Sequence, residues 1–196
     1  MPVETEVKIR LSDLPGFRDR LRGLGAVLLS PCHFEDNHVL DFPDGRLRSR
    51  KCLMRVRIAG GSAWITFKGP PLPADLFKKR DELETSVEDG SVLLRILQES
   101  GMTVWFRYQK RREEYTLDAT EGRRVLHVAL DQTPIGEYAE IEGLEEDILR
   151  AASRLGIDSS EFIRDSYYYL YILDCRERGV APGDMIFPDH KRQNEN

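Results

Sequence analysis

Residues 3–11 read VETEVKIRL, and they alternate: Val3, Thr5, Val7 and Ile9 fall on one side, Glu4, Glu6, Lys8 and Arg10 on the other. A period of two marks a β-strand with one apolar and one polar face. The same period returns with charge at Arg55/Arg57, Lys68, Arg80/Glu82/Glu84, Lys110/Arg112 and Glu140/Glu142. For any one strand, a wet outer face is the ordinary explanation. Taken together the strands require more. Their polar faces use long side chains of both signs, and the intervening helices carry apolar stripes that can cover the opposite face. A sheet that is apolar outside and charged inside removes its edges by closing into a barrel.

The rest of the chain fits that plan. Ser12 or Asp13 can cap a helix with Pro15 in its first turn, an apolar stripe of Phe17, Leu21 and Leu24, and Gly25 at its end. Extended segments are predicted over 26–40, 52–59, 63–68, 79–87, 104–117, 124–131 and 137–142, with Gly60-Gly61 turning a hairpin. DFPDG, GPPLP and QTPIG read as turns and loops. Helices are predicted over 89–100 (Val92, Ile96 and Leu97 inward), 144–155 and 160–176. Strands in sequential hairpins with flanking helices make the class α+β with a large antiparallel sheet. Residues 1–178 read as one domain. Residues 179–196 read as a polar tail, frayed from Pro182.

Composition narrows the function. A length of 196 residues, 40% of them hydrophobic, supports a real core. The net charge of −5 argues against a generic cationic grip on nucleic acid, so no nucleic-acid partner is expected. The basic-aromatic stretch YQKRREEY is followed at once by acid. Cys32, Cys52 and Cys175 stand in no metal-ligand spacing, and their odd number fits a reducing, cytoplasmic setting. No apolar run reaches the length of a membrane span, so no membrane partner is expected. His33, His38, His127 and His190 form no ligand pattern, and no GxSxG, GxxxxGK[ST] or GxGxxG occurs.

A charged lumen cannot be dry, because unpaired buried charge is too costly. Arginine forks match phosphate oxygens and lysines add point charge, while clustered carboxylates suit Mg²⁺ or Mn²⁺. Together these are the parts of a metal-assisted phosphoryl-transfer site. The aromatic run SYYYLY reads most simply as packing of the last helix, and an uncovered aromatic helix makes a homodimer plausible.

In order along the chain, these stretches resemble the CYTH family, the triphosphate tunnel metalloenzymes that include class IV adenylyl cyclases and thiamine triphosphatases. Glu4-Thr5-Glu6-Val7-Lys8 matches the ExExK signature, followed by LMRVR, TFKGP, KRDELET, YQKRREEY and LDQTPIGEYAEIEG. The resemblance implies an eight-stranded antiparallel β-barrel tunnel with helices outside. It implies that Lys8, Arg55, Arg57, Lys68, Arg80, Lys110 and Arg112 grip a triphosphate, nucleoside or inorganic. Glu4, Glu6, Glu140 and Glu142 would hold one or two Mg²⁺ or Mn²⁺, with Asp131, Glu82 and Glu84 as second candidates. Lys8, Lys68 and Arg57 would serve catalysis, with Lys8 or Lys68 acting as a base if its pKa is lowered. Ser166, Tyr167 and Leu170, with the TPIGEYAEIEG run, look like the class IV cyclase subgroup. The first expectation is therefore conversion of ATP to cyclic AMP and pyrophosphate. Hydrolysis of inorganic tripolyphosphate or an organic triphosphate such as thiamine triphosphate is the alternative. A polyphosphate- or nucleotide-binding protein without turnover stands third.

Overall fold

A computed structural model of the chain describes residues 3–118 and 124–188. Among the described residues it has eight strands: β1 (Val3–Leu11), β2 (Val27–Asp41), β3 (Leu53–Ala59), β4 (Ser62–Pro71), β5 (Lys78–Val87), β6 (Thr103–Asp118), β7 (Val125–Thr133) and β8 (Gly136–Glu142). They close into one barrel in the order β1-β5-β4-β3-β2-β6-β7-β8, every pairing antiparallel. Five helices accompany it: α1 (Leu14–Gly23), α2 (Arg46–Ser49), α3 (Gly90–Glu99), α4 (Glu145–Arg154) and α5 (Tyr167–Glu177). The expected antiparallel tunnel is thus the fold.

Closure follows from the alternation. On β1, Val7 and Ile9 are buried in a cluster with Leu14, Phe17 and Leu21 of α1, Ile148 and Ala151 of α4, and the outward faces of β7 and β8. A second cluster joins Val56 of β3 and Leu40 of β2 to Leu47 of α2 and Leu93, Leu94 and Leu97 of α3. These layers sit outside the barrel, so the charged faces turn inward. Strand β1 closes the ring by changing partners midway: residues 3–6 pair with β5 and residues 6–11 with β8.

Four local readings are corrected. Helix α3 packs half-buried Leu93, Leu94 and Leu97 against the barrel and leaves Val92 and Ile96 more than half exposed. Gly90 sets that face: a Cβ there would lie 2.6 Å from Ala63 Cβ and 2.8 Å from Ile58 Cγ1, so the helix start presses directly on β3 and β4. The predicted helix over 160–176 is instead a 3₁₀ turn at Ser159–Glu161, an extended link whose Ile163 pairs with the Lys8 backbone, and then α5 capped by Ser166. The Asp158–Glu161 capping box supports one turn only. Helix α2, unpredicted, forms after the DFPDG turn because the Asp41 carboxylate accepts from the Leu47 and Arg48 amides. The tail expected to fray from Pro182 is docked over 183–187: Met185 is buried and its backbone bonds Arg107 and Gln109 of β6. Residues 189–196 lie outside the described residues.

Because Gly90 admits no side chain without displacing β-sheet carbons, Gly90→Val should destabilise the fold by about 1–3 kcal/mol. The midpoint of urea unfolding, with an unchanged slope, measures this.

Candidate active site

The barrel encloses a cavity of about 610 Å³. Each strand contributes its inward positions: Glu4, Glu6 and Lys8 from β1, Arg55 and Arg57 from β3, Lys68 from β4, and Lys78, Arg80, Glu82 and Glu84 from β5. Lys110 and Arg112 enter from β6, and Glu140 and Glu142 from β8. Thirteen of the fourteen lumen positions singled out from the sequence, Asp131 apart, therefore line one cavity. Asp131 is fully buried behind Lys110 and Arg112 and bonds both, at 3.1 and 2.6 Å. The basic stretch of β6 is split by the pleat: Lys110 and Arg112 face the lumen, while Arg111 stacks on Phe187 outside.

The charges are paired side by side. Lys8 meets Glu140 at 2.9 Å, and Arg112 bonds the same carboxylate. Lys68 holds Glu4 at 2.6 Å and Glu82 at 3.0 Å. Glu84 accepts from Arg57 at 3.1 Å and from the buried Thr66 hydroxyl at 2.6 Å. Among the described residues Arg80 has only carbonyl partners, those of Lys51 and Gly69. The Nε atoms of Arg55, Arg57 and Arg80 are buried without a partner, as an anion receptor would leave them.

Carboxylates outnumber their cations at the β1–β5–β8 end. Glu6 and Glu142 face each other across the β1–β8 ladder. Burial and then Glu6 push the Glu4 carboxyl up to about 8 despite Lys68. Burial and Glu6 also raise Glu142, which no ion pair reaches among the described residues. Glu6 itself is lowered to about 2, because Lys78 and Lys8 overcome its burial. Crowded hard oxygen donors of this kind fit a divalent cation such as Mg²⁺ or Mn²⁺. As arranged, no three His, Cys, Asp or Glu groups among the described residues gather closely enough to enclose an ion; lysines occupy the carboxylates instead.

Neither Lys8 nor Lys68 has the lowered pKa that would let it act as a base. Burial favours the neutral amine of Lys8, but Glu140 and Glu6 outweigh it and its pKa is raised. Lys68 is likewise raised, Glu6 and Glu4 overcoming its burial.

Two lining residues, Lys78 and Tyr167, and one buried acid outside the cavity lining, Glu35, were not among the expected site residues. Lys78, one residue before the predicted start of β5, meets Glu6 at 2.5 Å. Extending the period-two pattern of Arg80, Glu82 and Glu84 one step back finds it. Glu35, 1% exposed, stands 3.5 Å from both Arg57 and Lys110. Its strand carries polar residues on both faces, Asp36 and His38 as well as Glu35 and Asn37, so alternation alone does not say which face is inside. Tyr167, first read as packing, donates to Asp131 at 2.7 Å and lies under Lys8, 4.4 Å from its ring centroid. The same cavity is also lined by Trp105, Phe106, Tyr108, Tyr168, Leu53 and Val39. Trp105 and Tyr168 meet edge to face at 4.8 Å. Tyr167 and Tyr171 are buried against the chain's own β6 and 183–187 segment, so the aromatic helix needs no second copy to cover those faces.

Comparison with known proteins places this architecture. The CYTH domain family model matches residues 2–167. No curated protein matches the chain. Among solved structures, a candidate adenylate cyclase from Vibrio parahaemolyticus is 18% identical, with a TM-score of 0.71 over 85% of this chain and 96% of that one. The PH1012 protein of Pyrococcus horikoshii is 23% identical, with a TM-score of 0.69 over 85% and 98%. An adenylyl cyclase candidate from Hippeastrum with a dominant triphosphatase activity is 14% identical, with a TM-score of 0.57 over 91% and 97%. No described helix is long and apolar enough to cross a membrane.

The raised carboxyls give the metal-free protein a defined pH response. A carboxyl whose folded pKa is raised contributes stability that is complete below its unfolded value and is lost as pH rises through the folded value. For Glu4 that window runs from 4.5 to about 8, and Glu142 acts in the same direction. Glu6 acts oppositely, but its contribution is complete above 4.5. In chelator the melting temperature should therefore fall between about pH 5 and pH 8, and Glu4→Gln should flatten that slope. Thermal melts at constant ionic strength test it.

Proposed function

The chain belongs to the CYTH domain family, and on that premise we propose that it is a divalent-metal-dependent enzyme that processes an organic triphosphate, cyclising ATP to cyclic AMP and pyrophosphate. The observation that carries this reading is the lumen: the seven expected phosphate-gripping cations and the four expected cation-holding carboxylates share one cavity. Three phosphates need several cations aligned along a line, and antiparallel strands supply them at alternate positions on neighbouring strands. The aromatic part of the same lining supports an organic group on the triphosphate, since Trp105, Phe106 and Tyr168 offer π-faces to a base.

In this reading Arg55, Arg57, Lys68, Lys110 and Arg112 bind the phosphates, with Arg80 and Lys8 at the carboxylate end. Glu4, Glu6, Glu140 and Glu142 would hold the cation, which when bound offsets phosphate charge and orients the phosphate oxygens. The ribose 3′-oxygen attacks the α-phosphorus in line. The bond from that phosphorus to the bridging oxygen breaks, pyrophosphate leaves with that oxygen, and the hydroxyl proton passes to water. The arginines stabilise the charge that grows on the equatorial and leaving oxygens. Lys8 and Lys68 act as fixed positive charges in this scheme.

Hydrolysis is the second reading, favoured by the fold shared with the Hippeastrum protein and its dominant triphosphatase activity. There water attacks the terminal phosphorus and the same cations hold the chain. Products separate the two. With Mg²⁺ or Mn²⁺, ATP should yield cyclic AMP and pyrophosphate on ion-exchange chromatography. Orthophosphate released mainly from tripolyphosphate would establish hydrolysis. Neither product would leave a binding protein.

Under either chemistry, Arg57→Ala and Glu6→Ala should each lower kcat by about 10²–10³-fold while the protein stays folded by circular dichroism. Near-normal turnover in either variant would contradict the assignment of the lumen.

A further inference from the structure

Lys78 is the least expected charge in the lumen. It opens β5 and stands directly across from Glu6 in the β1–β5 ladder, with Nζ 2.5 Å from Oε1. Each is the other's sole salt-bridge partner among the described residues. Lys68 and Lys110, by contrast, each hold two carboxylates. Glu6 is also the register position at which β1 changes partners, so Lys78 flanks it on one side and Glu142 on the other. Among the described residues the ammonium pairs only with Glu6, and Glu142 has no ion pair. One positive charge therefore sits where two carboxylates meet. A lysine head on a four-carbon stem is a mobile point charge, able to leave a carboxylate that finds a better partner.

We propose that Lys78 is an internal stand-in for the divalent cation, holding Glu6 in the metal-free chain and turning to the triphosphate once the cation takes Glu6. The inference rests on the proposed reading of Glu6 and Glu142 as cation-holding residues. Two consequences follow. The cation must displace the ammonium, so its affinity for the free chain is lowered. A bound triphosphate gives the displaced ammonium a new partner in the same cavity, so cation and triphosphate strengthen each other's binding reciprocally. Lys79, the next residue, points outward to Glu145 and takes no part.

The test is Mn²⁺ binding followed by electron paramagnetic resonance, with and without tripolyphosphate, corrected for the complex the two form in protein-free buffer. Wild type, Lys78→Gln, Lys78→Arg and Lys79→Gln are compared, with thermal melts confirming that each is folded. Lys78→Gln should bind Mn²⁺ at least about tenfold more tightly without tripolyphosphate, and tripolyphosphate should then strengthen Mn²⁺ binding less than in wild type. The same variant should bind tripolyphosphate more weakly at saturating Mn²⁺. Lys78→Arg and Lys79→Gln should resemble wild type. A purely structural lysine would not move the two affinities in opposite directions. Unchanged or weaker Mn²⁺ binding by Lys78→Gln overturns the proposal while leaving the metal reading intact. If wild type binds no Mn²⁺ even with tripolyphosphate, both fail together, and a Glu6→Gln variant indistinguishable from wild type would show the same.

Discussion

Buried charge is the constraint on which this structure depends. A closed barrel with a charged lumen would be unstable if its ions stood alone, because each costs several kcal/mol to desolvate. The chain offsets this cost by placing opposite charges on neighbouring strands at matched register. Lys8 opposes Glu140 across β1–β8, Lys68 opposes Glu82 across β4–β5, and Arg112 opposes Asp131 across β6–β7. Register is thus set twice, by the apolar outer face and by the ion pairs inside. A slip of one residue would put apolar side chains in the lumen and charge under the helices.

The pairing is uneven, and the unevenness divides the lumen. Toward β6 and β3 each carboxylate is well matched. Glu35 is held well below the usual carboxylate range because Lys110, Arg112, His33 and Arg57 outweigh its burial. Glu35 and Asp131 flank Lys110 from two strands and fix where that ammonium points. Toward β1 and β8 the acids crowd one another, as the raised Glu4 and Glu142 report. One cavity therefore combines cations, crowded carboxylates and aromatic side chains in its lining.

Much of this was legible in the sequence, because a two-residue period of charge needs no tertiary information to be seen. The period marks the strands and their inward faces, and thirteen of the fourteen positions it singles out line the cavity. The misses have physical causes. Lys78 was lost to a strand boundary one residue out, and Glu35 to a strand polar on both faces. Helix α3 was rotated because two apolar stripes, Val92/Ile96 and Leu93/Leu94/Leu97, compete in the sequence, and only the contact of Gly90 with Ile58 and Ala63 decides between them. The break before α5 depends on a long-range backbone pairing of Ile163 with Lys8 that no local pattern announces.

That pairing also ties the C-terminal region to the site. Ile163 anchors the link to the strand that carries Lys8, and Ser166 then starts α5 so that Tyr167 reaches Asp131. Further on, the Tyr171 hydroxyl donates to the Asp184 carbonyl, and Met185 pairs with β6 between Arg107 and Gln109. The helix is held at both ends by the barrel it covers. Because the Tyr167 hydroxyl, the Lys110 ammonium and the Arg112 fork converge on the one Asp131 carboxylate, any shift of α5 is felt by both cations. The residues beyond the CYTH match, 168–187, thereby belong to the positioning of the lumen: they supply no charge to it, but they hold in place the tyrosine on which two of its charges are braced.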